Sequence, residues 1–596
     1  MENYEINEHD VLVIGAGGAG LRAAIEASAQ GASVGLVSKS LLGKAHTVMA
    51  EGGLAAAMAN VDGRDNWKVH FRDTLRGGKY VNNWEMARIH AQEAPERVNE
   101  LEEWGAVFDR TQDGRILQRP FGGHQYPRLV HVGDRTGLEM IRTLQNHGIH
   151  QGFDIYTERT ITHLLKDGDH IAGAFGYRRD TGKYILFRAK AVVLASGGLG
   201  RSYHYTTNSW ECTGDGLAMA LRVGAELMDM EFLQFHPTGM VWPSSVRGVL
   251  VTEGVRGEGG VLLNNKGERF MFNYIPPMFA KDVADTPEEA KRWLDGDATA
   301  RRPPELLTRD VVARAIRAEV KAGRGSPHGG AYLDIASQRS ADYIRKKLPS
   351  MHMQFKQLAD LDITKAPMEV HPTMHYAMGG LKVDAETART KVPGLYAAGE
   401  ASAGLHGANR LGGNSLSDLL VFGRRAGAHA AQYAKTLRDM PAADAKQLTE
   451  AEQEIEAPFA GGGKENPYVL LTDLRQTMED GAGIIRDRAA IEAGIQALAG
   501  LKDRVFKIGM AGGRAYNPAW HYALDLHNMV LVSQAVALSA LHREESRGAH
   551  TRVDFPDTQK EWEEQNTVVW LEEGELKWRQ DKRPPMPPEL KALLAD

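Results

Sequence analysis

The pattern of apolar and polar positions predicts a strand–turn–helix–strand unit at the start of the chain. Val11–Ile14 is an unbroken apolar run, typical of a strand buried on both faces. A helix is predicted over Leu21–Gln30 and a second strand over Ser33–Val37. Apolar runs that end in glycine turns recur at 190–200 and 392–399. Repeated units of this kind predict a parallel sheet with helices on its faces.

The periodicity changes along the rest of the chain. Segment 276–304, rich in proline and charged residues, predicts a surface excursion, and Leu306–Gly323 predicts a helix with Thr308 as its N-cap. The tail at 550–596 has no period that predicts a helix or a strand. The remaining predicted helices are Ala426–Lys435, Leu448–Glu456, Asp473–Leu501 and Trp520–Leu541.

Composition excludes several classes of protein. Apolar residues make up 42% and charged residues 25%, which is typical of a soluble globular protein. A net charge of −6 argues against nucleic acid as a partner. The only cysteine, Cys212, excludes an internal disulfide, a self-contained iron–sulfur cluster and a cysteine-rich zinc site. We therefore expect no metal site in this chain.

Nothing in the sequence predicts a leader or a membrane span. The first ten residues are acidic, whereas a targeting leader is basic. The apolar stretch Met529–Leu541 is shorter than the about 20 residues that a span requires. We expect a cytosolic chain, or one that other subunits hold at a membrane.

A dinucleotide-binding turn follows the first predicted strand. Gly15, Gly17 and Gly20 form a Gly-x-Gly-x-x-Gly motif that includes Gly18. Glycines allow a tight turn and close approach of a pyrophosphate to the N-terminus of the next helix. Ser38-Lys39 stands at the end of the second strand, where NAD-binding proteins place an acidic residue. This departure argues against NAD.

A second element favours FAD. The apolar strand before Gly399 ends in Glu400, whose carboxylate is suited to accept hydrogen bonds from ribose or ribityl hydroxyls. Asp215, in a Thr-Gly-Asp-Gly turn, opens another helix that could face the cofactor. The alternative interpretation of the strand before Gly399 is a buried strand that ends in a solvated Glu400 without a ligand.

Taken in order, the motifs resemble the flavoprotein subunit of the succinate dehydrogenase and quinol:fumarate reductase family over nearly the whole chain. The resemblance implies an α/β fold in which a Rossmann-like FAD-binding domain carries an inserted α+β capping domain, followed by a helical and a small C-terminal domain. The predicted bounds are 1–239 and 356–424 for the FAD-binding domain, 240–355 for the cap, 425–541 for the helical domain and 542–596 for the C-terminal domain. The matching motifs are His46–Val48, Glu51–Gly53, Thr213–Gly216, Gln234–Gly239, Thr252–Gly260, Arg309–Arg314, His375–Gly380, Gly399–Glu400, His406–Ser415, Glu545–His550 and Asp554–Pro556.

The resemblance also implies how FAD is held. In the family, the histidine that matches His46 binds FAD covalently, which prevents the flavin from dissociating. The other cofactor residues implied, besides those named above, are Thr47, Gly52, Gly53, Asn414, Ser415 and Leu416.

The resemblance places the substrate carboxylates near His236, Thr252, His375 and Arg410. The chemistry of these residues fits independently, because a dicarboxylate needs clustered hydrogen-bond donors and arginine binds a carboxylate in a bidentate fork.

Arg309 matches the family's substrate acid/base. Arginine is an unusual proton carrier, because a free guanidinium has a pKa above about 12. It needs a relay, and Glu253 and Arg256 match that relay.

The implied reaction is oxidation of succinate to fumarate with hydride transfer to FAD. A quinol:fumarate reductase is the main alternative, because Glu51 is typical of fumarate reductases whereas Gly412-Gly413 is more typical of dehydrogenases. Two further rival functions are L-aspartate oxidase, which has non-covalent FAD, and a non-catalytic flavin-binding protein. Val255 stands where the family often has cysteine, so we expect weak inhibition by alkylating agents.

The cysteine count also predicts partners. With one cysteine the chain holds no onward path for electrons, so electrons that reach a quinone must leave through a separate iron–sulfur protein. The resemblance implies that this protein is an iron–sulfur subunit, with membrane-anchor subunits bound through it. The expected location is peripheral, at the cytoplasmic face of the bacterial cell membrane.

Overall fold

A computed structural model describes residues 4–297, 299–460 and 463–595. The strands in this part of the chain are β1 (Glu5–Ile14), β2 (Val34–Val37), β3 (Leu54–Ala55), β4 (Gln118–Arg119), β5 (Leu129–Val130), β6 (Asp154–Tyr156), β7 (Arg159–Asp167), β8 (His170–Arg178), β9 (Tyr184–Leu194), β10 (Leu227–Met228), β11 (Leu233–Met240), β12 (Val261–Leu263), β13 (Ala331–Asp334), β14 (Met368–Ala377), β15 (Gly380–Leu381), β16 (Leu395–Ala397), β17 (Gln565–Glu572) and β18 (Glu575–Lys582). The α-helices are α1 (Gly18–Ala29), α2 (Trp67–Gly77), α3 (Trp84–Glu103), α4 (Thr136–Gln151), α5 (Asp215–Arg222), α6 (Gly254–Gly257), α7 (Pro287–Leu294), α8 (Arg309–Lys321), α9 (Ala341–Lys347), α10 (Pro349–Ala359), α11 (Asn414–Thr436), α12 (Ala445–Glu456), α13 (Pro467–Ala482), α14 (Arg488–Val505), α15 (Pro518–His542), α16 (Lys560–Glu563) and α17 (Pro588–Lys591).

The central sheet has the strand order β6-β2-β1-β9-β8-β7, with β16 also paired to β9. The pairs among β6, β2, β1, β9 and β16 are parallel, as predicted, whereas β7, β8 and β9 form an antiparallel meander that was not predicted. β1 begins at Glu5 rather than Val11, because the polar residues before Val11 also pair with β9. The carboxyl ends of the parallel strands therefore lie together, where a doubly wound sheet binds its ligand.

A second sheet, in the order β11-β14-β13-β12, lies in the middle of the chain. It has its own hydrophobic cluster, formed by residues between Met240 and Val370. β11 and β14 pair antiparallel and run from the central domain into this unit. The two strands thus place residues of both units side by side. The predicted cap boundaries of 240 and 355 stay predictions.

The predicted helix Asp473–Leu501 is wrong, because two helices, α13 and α14, occupy this region. Gly483 lies just after α13 in extended backbone, and Asp487 caps α14 by accepting from the Ala490 N–H at 2.8 Å. A glycine stop followed by an aspartate cap separates two helices whose apolar periodicities are alike.

The tail forms structure that its sequence did not predict. β17 and β18 make a hairpin that joins β10 and β15 in a four-stranded sheet. Thr567–Val569 is buried, whereas β18 is an edge strand with half-exposed polar side chains. An edge strand of this composition lacks the alternation that predicts a strand.

The predicted helix Trp520–Leu541 corresponds to α15, which begins at Pro518 and ends at His542. This helix is long and apolar enough to cross a membrane by length and composition, contrary to the estimate from Met529–Leu541. However, 72% of its most apolar window is buried within the protein, where it packs against α13, α14 and α5. A helix that is apolar all round is typical of such a core position.

Candidate active site

One long cavity runs from the glycine turn after β1 to the start of α8. It contains about 1690 Å³ of space free of protein atoms, including its open mouth. Gly15–Gly18 line one part of this space and Arg309 and Arg410 line another, so a single cavity joins the dinucleotide-type turn to the predicted substrate residues. Every predicted site residue lines it except Gly20, Asn414 and Arg256.

The glycine turn gives the cavity its first wall. Gly15 has φ +112°, and a Cβ there would lie 2.2 Å from the Ala195 carbonyl oxygen. A Cβ on Gly20 would lie 1.7 Å from the Gly15 carbonyl oxygen, so Gly20 serves close packing and not the lining. Gly17 and Gly18 line the cavity at the N-terminus of α1, where free N–H groups favour phosphates.

A partly buried lysine, Lys39, organises the next part of the wall. The Lys39 Nζ donates to Thr213 Oγ1 at 3.0 Å, Asp215 at 2.8 Å and Asp525 at 2.7 Å. Ser38 lines the cavity beside it, and its backbone N–H donates to the Tyr156 carbonyl. Asp215, from the start of α5, brings a carboxylate to the end of β2, where the sequence itself has none.

His46 lies in a short 3-10 helix on the same wall. Its Nδ1 accepts from the Ser209 N–H at 3.4 Å. Burial lowers the pKa of the His46 imidazole to about 4, so the ring is neutral. The Thr47 hydroxyl accepts from the Gly18 N–H at 3.3 Å, which links this segment to the glycine turn. Gly52 and Gly53 continue the lining.

The opposite wall comes from the second half of the chain. Glu400 accepts from the Ala377 N–H at 3.0 Å, and burial raises the pKa of its carboxyl to about 7. Ser415 and Leu416 line the cavity at the N-terminus of α11. The Asn414 side chain instead bonds His70 Nε2 at 2.9 Å and Thr74 Oγ1 at 3.1 Å, so it braces the helix start from behind.

Several buried polar atoms around the cavity lack a hydrogen-bond partner among the described residues. They are Ser196 Oγ, both Glu211 carboxylate oxygens, Glu51 Oε2 and Arg410 Nε. A buried orphaned polar group costs about 1–3 kcal/mol, so native folds rarely leave one. A large ligand with hydroxyl, phosphate and carboxylate groups would supply the partners. The residues present therefore fit FAD together with an anionic substrate.

Two arginines meet at the inner end of the cavity. Arg309, at the start of α8, donates from Nε to Glu253 at 3.1 Å and from Nη1 to Gln234 Oε1 at 3.2 Å. Arg410 donates to the same Gln234 oxygen at 3.1 Å and to Ser415 Oγ at 2.8 Å. One uncharged side chain thus sets the spacing of two guanidinium groups.

Glu253 connects Arg309 to a deeper cation. Arg256, fully buried, lies 3.7 Å from the Glu253 carboxylate and donates to the Glu305 carbonyl. Burial favours a neutral Glu253, but Arg309 and Arg256 outweigh burial and hold the pKa of that carboxyl below its usual value. Arg256 does not line the cavity; it lies behind Glu253.

Two histidines also line the inner end of the cavity. His236 on β11 and His375 on β14 have ring centroids 5.2 Å apart. His236 Nδ1 faces the Thr238 carbonyl at 2.9 Å and His375 Nδ1 faces Thr207 Oγ1 at 2.8 Å, so each Nε2 is the nitrogen available to a ligand. Burial, and then Arg309, lower the pKa of both imidazoles well below the usual value, which keeps the rings neutral. Thr252 lines the cavity nearby.

Three further lining or bridging residues were not singled out from the sequence. Gln234 joins the arginines, the Tyr376 ring lies 4.4 Å below the Arg410 guanidinium, and Phe121 lines the cavity. Gln234 and Tyr376 belong to motifs that carry the resemblance. An uncharged residue in such a motif is as compatible with packing as with function, so only its contacts reveal its role.

Two models of known protein families match this chain. A family model described as "FAD binding domain" matches residues 10–416, and one described as "Fumarate reductase flavoprotein C-term" matches residues 471–590. The chain belongs to the succinate dehydrogenase and fumarate reductase flavoprotein family. It is an FAD-dependent oxidoreductase of that family.

Individual members of the family match over nearly the full chain. A subunit of the "Fumarate reductase (CoM/CoB)" of Methanothermobacter marburgensis is 44% identical, covering 94% of this chain and 96% of its own. The "Succinate dehydrogenase flavoprotein subunit" of Coxiella burnetii is 37% identical, covering 97% of both chains.

Solved structures of the family share the fold. Mycobacterium smegmatis Sdh1 in complex with UQ1 matches with a TM-score of 0.87 and 54% identity, covering 98% of this chain and 96% of that one. A quinol fumarate reductase FrdA of E. coli matches with a TM-score of 0.90 and 34% identity, covering 98% of both chains. The predicted architecture of FAD-binding, capping, helical and C-terminal domains is confirmed.

We predict that N-ethylmaleimide inhibits the purified enzyme only weakly. Val255 beside the arginine relay offers no thiol, and the only cysteine, Cys212, is buried. Burial, and then the Glu400 charge, raise the pKa of the Cys212 thiol to about 12, which suppresses the reactive thiolate. Activity assayed over an hour of exposure checks this. Rapid loss of activity would contradict it.

Proposed function

We propose that this flavoprotein interconverts succinate and fumarate, and that its physiological direction is succinate oxidation. The observation that carries the proposal is the meeting of the Arg309–Glu253 pair, Arg410 and two neutral histidines at the inner end of the cavity that the dinucleotide-type turn also lines. This donor set suits a small molecule with a carboxylate at each end.

Charge favours a dianion in particular. Arg309 and Arg256 share one carboxylate, that of Glu253, whereas the buried Arg410 donates to the uncharged side chains of Gln234 and Ser415. Uncompensated buried charge is costly, and burial lowers the pKa of the Arg410 guanidinium to about 10. A C4 dicarboxylate brings the two negative charges that balance this cluster. Arginine forks then hold each carboxylate in a fixed orientation.

The proposed proton path is built from the same groups. Arg309 removes a proton from one methylene carbon of succinate, or returns it to fumarate. A guanidinium has no free electron pair, so Arg309 first passes one of its own protons to the Glu253 carboxylate, 3.1 Å away, and then takes the substrate proton. The proton on Glu253 leaves through Arg256, which releases one proton as it takes another. FAD, when bound, supplies the two-electron acceptor. His236, Thr252, His375 and Arg410 keep the substrate carbon against Arg309.

The cap provides closure over the substrate. β11 and β14 run from the FAD-binding domain into the cap, and they carry His236 and His375 at the junction. A substrate held between Thr252 and Arg309 of the cap and Arg410 of the FAD-binding domain draws the two units together. Closure of this kind excludes water and commits the bound substrate.

We also propose that the FAD is covalently bound through His46 and that the electrons leave through partner subunits. With Cys212 as the only cysteine, onward transfer needs a separate iron–sulfur subunit that passes the electrons to quinone, as the complex of Sdh1 with UQ1 suggests for that relative. The chain would then be a peripheral protein at the cytoplasmic face of the bacterial membrane, held through membrane-anchor subunits.

A quinol:fumarate reductase, running the reverse reaction, is the second candidate. It is favoured by Glu51 in the cavity wall and by the 44% identity to a fumarate reductase subunit. The same residues serve both directions, because a catalyst accelerates a reaction and its reverse alike.

We predict that the purified complex oxidises succinate with an artificial acceptor faster than it reduces fumarate with a reduced dye.

We predict that Arg309→Lys lowers kcat in both assays by about 10²–10⁴, the usual contribution of a positioned acid/base, with little change in KM. Arg317→Lys, at an exposed position on the same helix, is the matched control. Inactivity of the wild type towards both dicarboxylates would overturn the proposed function, and faster fumarate reduction would favour the second candidate.

We predict that the flavin remains with the protein after denaturation. Acid-precipitated wild type should fluoresce as a band on a denaturing gel, whereas His46→Ser should lose the band and still bind FAD in its native state. Thr47 and the glycine turn would retain non-covalent FAD in that variant. A wild-type band without fluorescence would show that His46 does not hold the flavin.

We predict that substrate binding weakens above about pH 8. Burial, and then the Asp134 charge, raise the pKa of the Glu51 carboxyl to about 8, so the group is neutral below that pH and negative above it. A negative Glu51 repels the dicarboxylate, so KM should rise by about tenfold per pH unit above pH 8 if only the neutral form binds. Glu51→Gln should flatten this profile. An unchanged profile in that variant would exclude Glu51 as the group.

A further inference from the structure

A buried histidine lies behind the substrate loop, which we define as residues 409–413. His124 Nε2 lies 2.7 Å from the Gly412 carbonyl oxygen, and the Arg128 Nη1 lies 3.2 Å from His124 Nδ1. His124 does not line the cavity and belongs to no motif of the resemblance.

These contacts define which nitrogen carries the proton. A guanidinium only donates hydrogen bonds, so His124 Nδ1 must accept from Arg128. The proton is therefore on Nε2, which donates to Gly412. Burial, and then Arg128, lower the pKa of the imidazole to about 3, consistent with a neutral ring. Arg128 is itself held by the buried carboxylates of Asp65 at 2.7 Å and Asp73 at 2.9 Å.

The two segments that His124 joins touch the acid/base pair. A Cβ on Gly412 would lie 2.3 Å from the Phe121 ring and 3.3 Å from Arg309 Nη2. A Cβ on Gly122 would lie 2.6 Å from Glu253 Oε1. The turn 121–124 therefore packs against Glu253, and the substrate loop packs against Arg309.

Two more buried histidines hold the residues that follow the loop. His70 bonds the Asn414 side chain at 2.9 Å, and His90 bonds Ser417 Oγ at 2.8 Å. Their rings lie 5.1 Å apart, and His70 lies 6.0 Å from His124. Both bonds are to side chains on α11. His124 bonds the backbone between Arg410 and that helix.

We propose that His124 is a positioning residue, which locks the turn 121–124 to the substrate loop and thereby fixes Arg309 and Glu253 relative to each other and to Arg410. Asp65, Asp73 and Arg128 keep the His124 ring in the one orientation that serves this bond. The proposal rests on the proposed function for its catalytic consequence. Its structural part, the anchoring of the loop, is independent of the reaction.

The test compares two amides of different length in the holoenzyme. The side-chain amide of asparagine lies near the position of His124 Nδ1 in the wild type. His124→Asn therefore keeps a partner for Arg128 and loses the bond to the Gly412 carbonyl. Glutamine reaches the Nε2 position, so His124→Gln retains that bond. His9→Asn is the matched control, because His9 is a buried histidine with one side-chain partner, Tyr156, outside the cavity. Flavin content normalises all rates.

We expect His124→Asn to lower kcat by about tenfold or more, because a small misplacement of an acid/base is costly. KM should change less, since Arg410 keeps its bonds to Ser415 and Gln234. His124→Gln should stay within about threefold of the wild type. His9→Asn should keep its kcat, whatever it does to Tm.

Amide hydrogen exchange separates this proposal from the proposed function. Residues 409–413 should exchange faster in His124→Asn than in the wild type, and not in His124→Gln or His9→Asn. If the wild type does not turn over either dicarboxylate, the proposed function fails and exchange alone decides the role of His124. Unchanged exchange in His124→Asn, or equal losses of kcat in His124→Asn and His124→Gln, would overturn the proposal.

Discussion

The burial of three guanidinium groups with only one carboxylate in contact with any of them is the constraint on which this site depends. Arg309 and Arg256 contact Glu253 away from bulk water, and Arg410 lies buried beside them without a carboxylate of its own. Like charges repel strongly there, and each needs a partner. Gln234 relieves part of that cost by accepting from two of them. The remaining positive charge is the basis of the proposed preference for a small dianion.

The fold brings this cluster together from distant parts of the chain. β11 supplies Gln234 and His236, the start of α8 supplies Arg309, and the loop before α11 supplies Arg410. Gln234 and Arg309 stand at the start of an element, so packing of that element fixes their direction, whereas Arg410 is held by its bonds to Gln234 and Ser415. The cavity end is consequently shared between the FAD-binding domain and the cap, and its geometry depends on how the two units meet.

Sequence motifs predicted the charged groups better than the groups that orient them. Glycines in tight turns, and arginines within a long ordered set of motifs, have a chemical reason that is visible in the sequence. Gln234 and His124 have no such reason in the sequence, because an amide or an imidazole can equally serve as a hydrogen-bonded residue of the core. Likewise, Gly20 and Asn414 belong to the right motifs but pack behind the cavity wall.

The sequence by itself determined the parallel sheet, the FAD-type turn and the family, because each rests on local spacing or on motifs in order. Tertiary structure alone decided the break before Asp487, the hairpin of β17 and β18, and the pairing of His124 with Gly412. These features depend on contacts between residues far apart in the chain. Local periodicity contains no information about which distant backbone group a strand or side chain will meet.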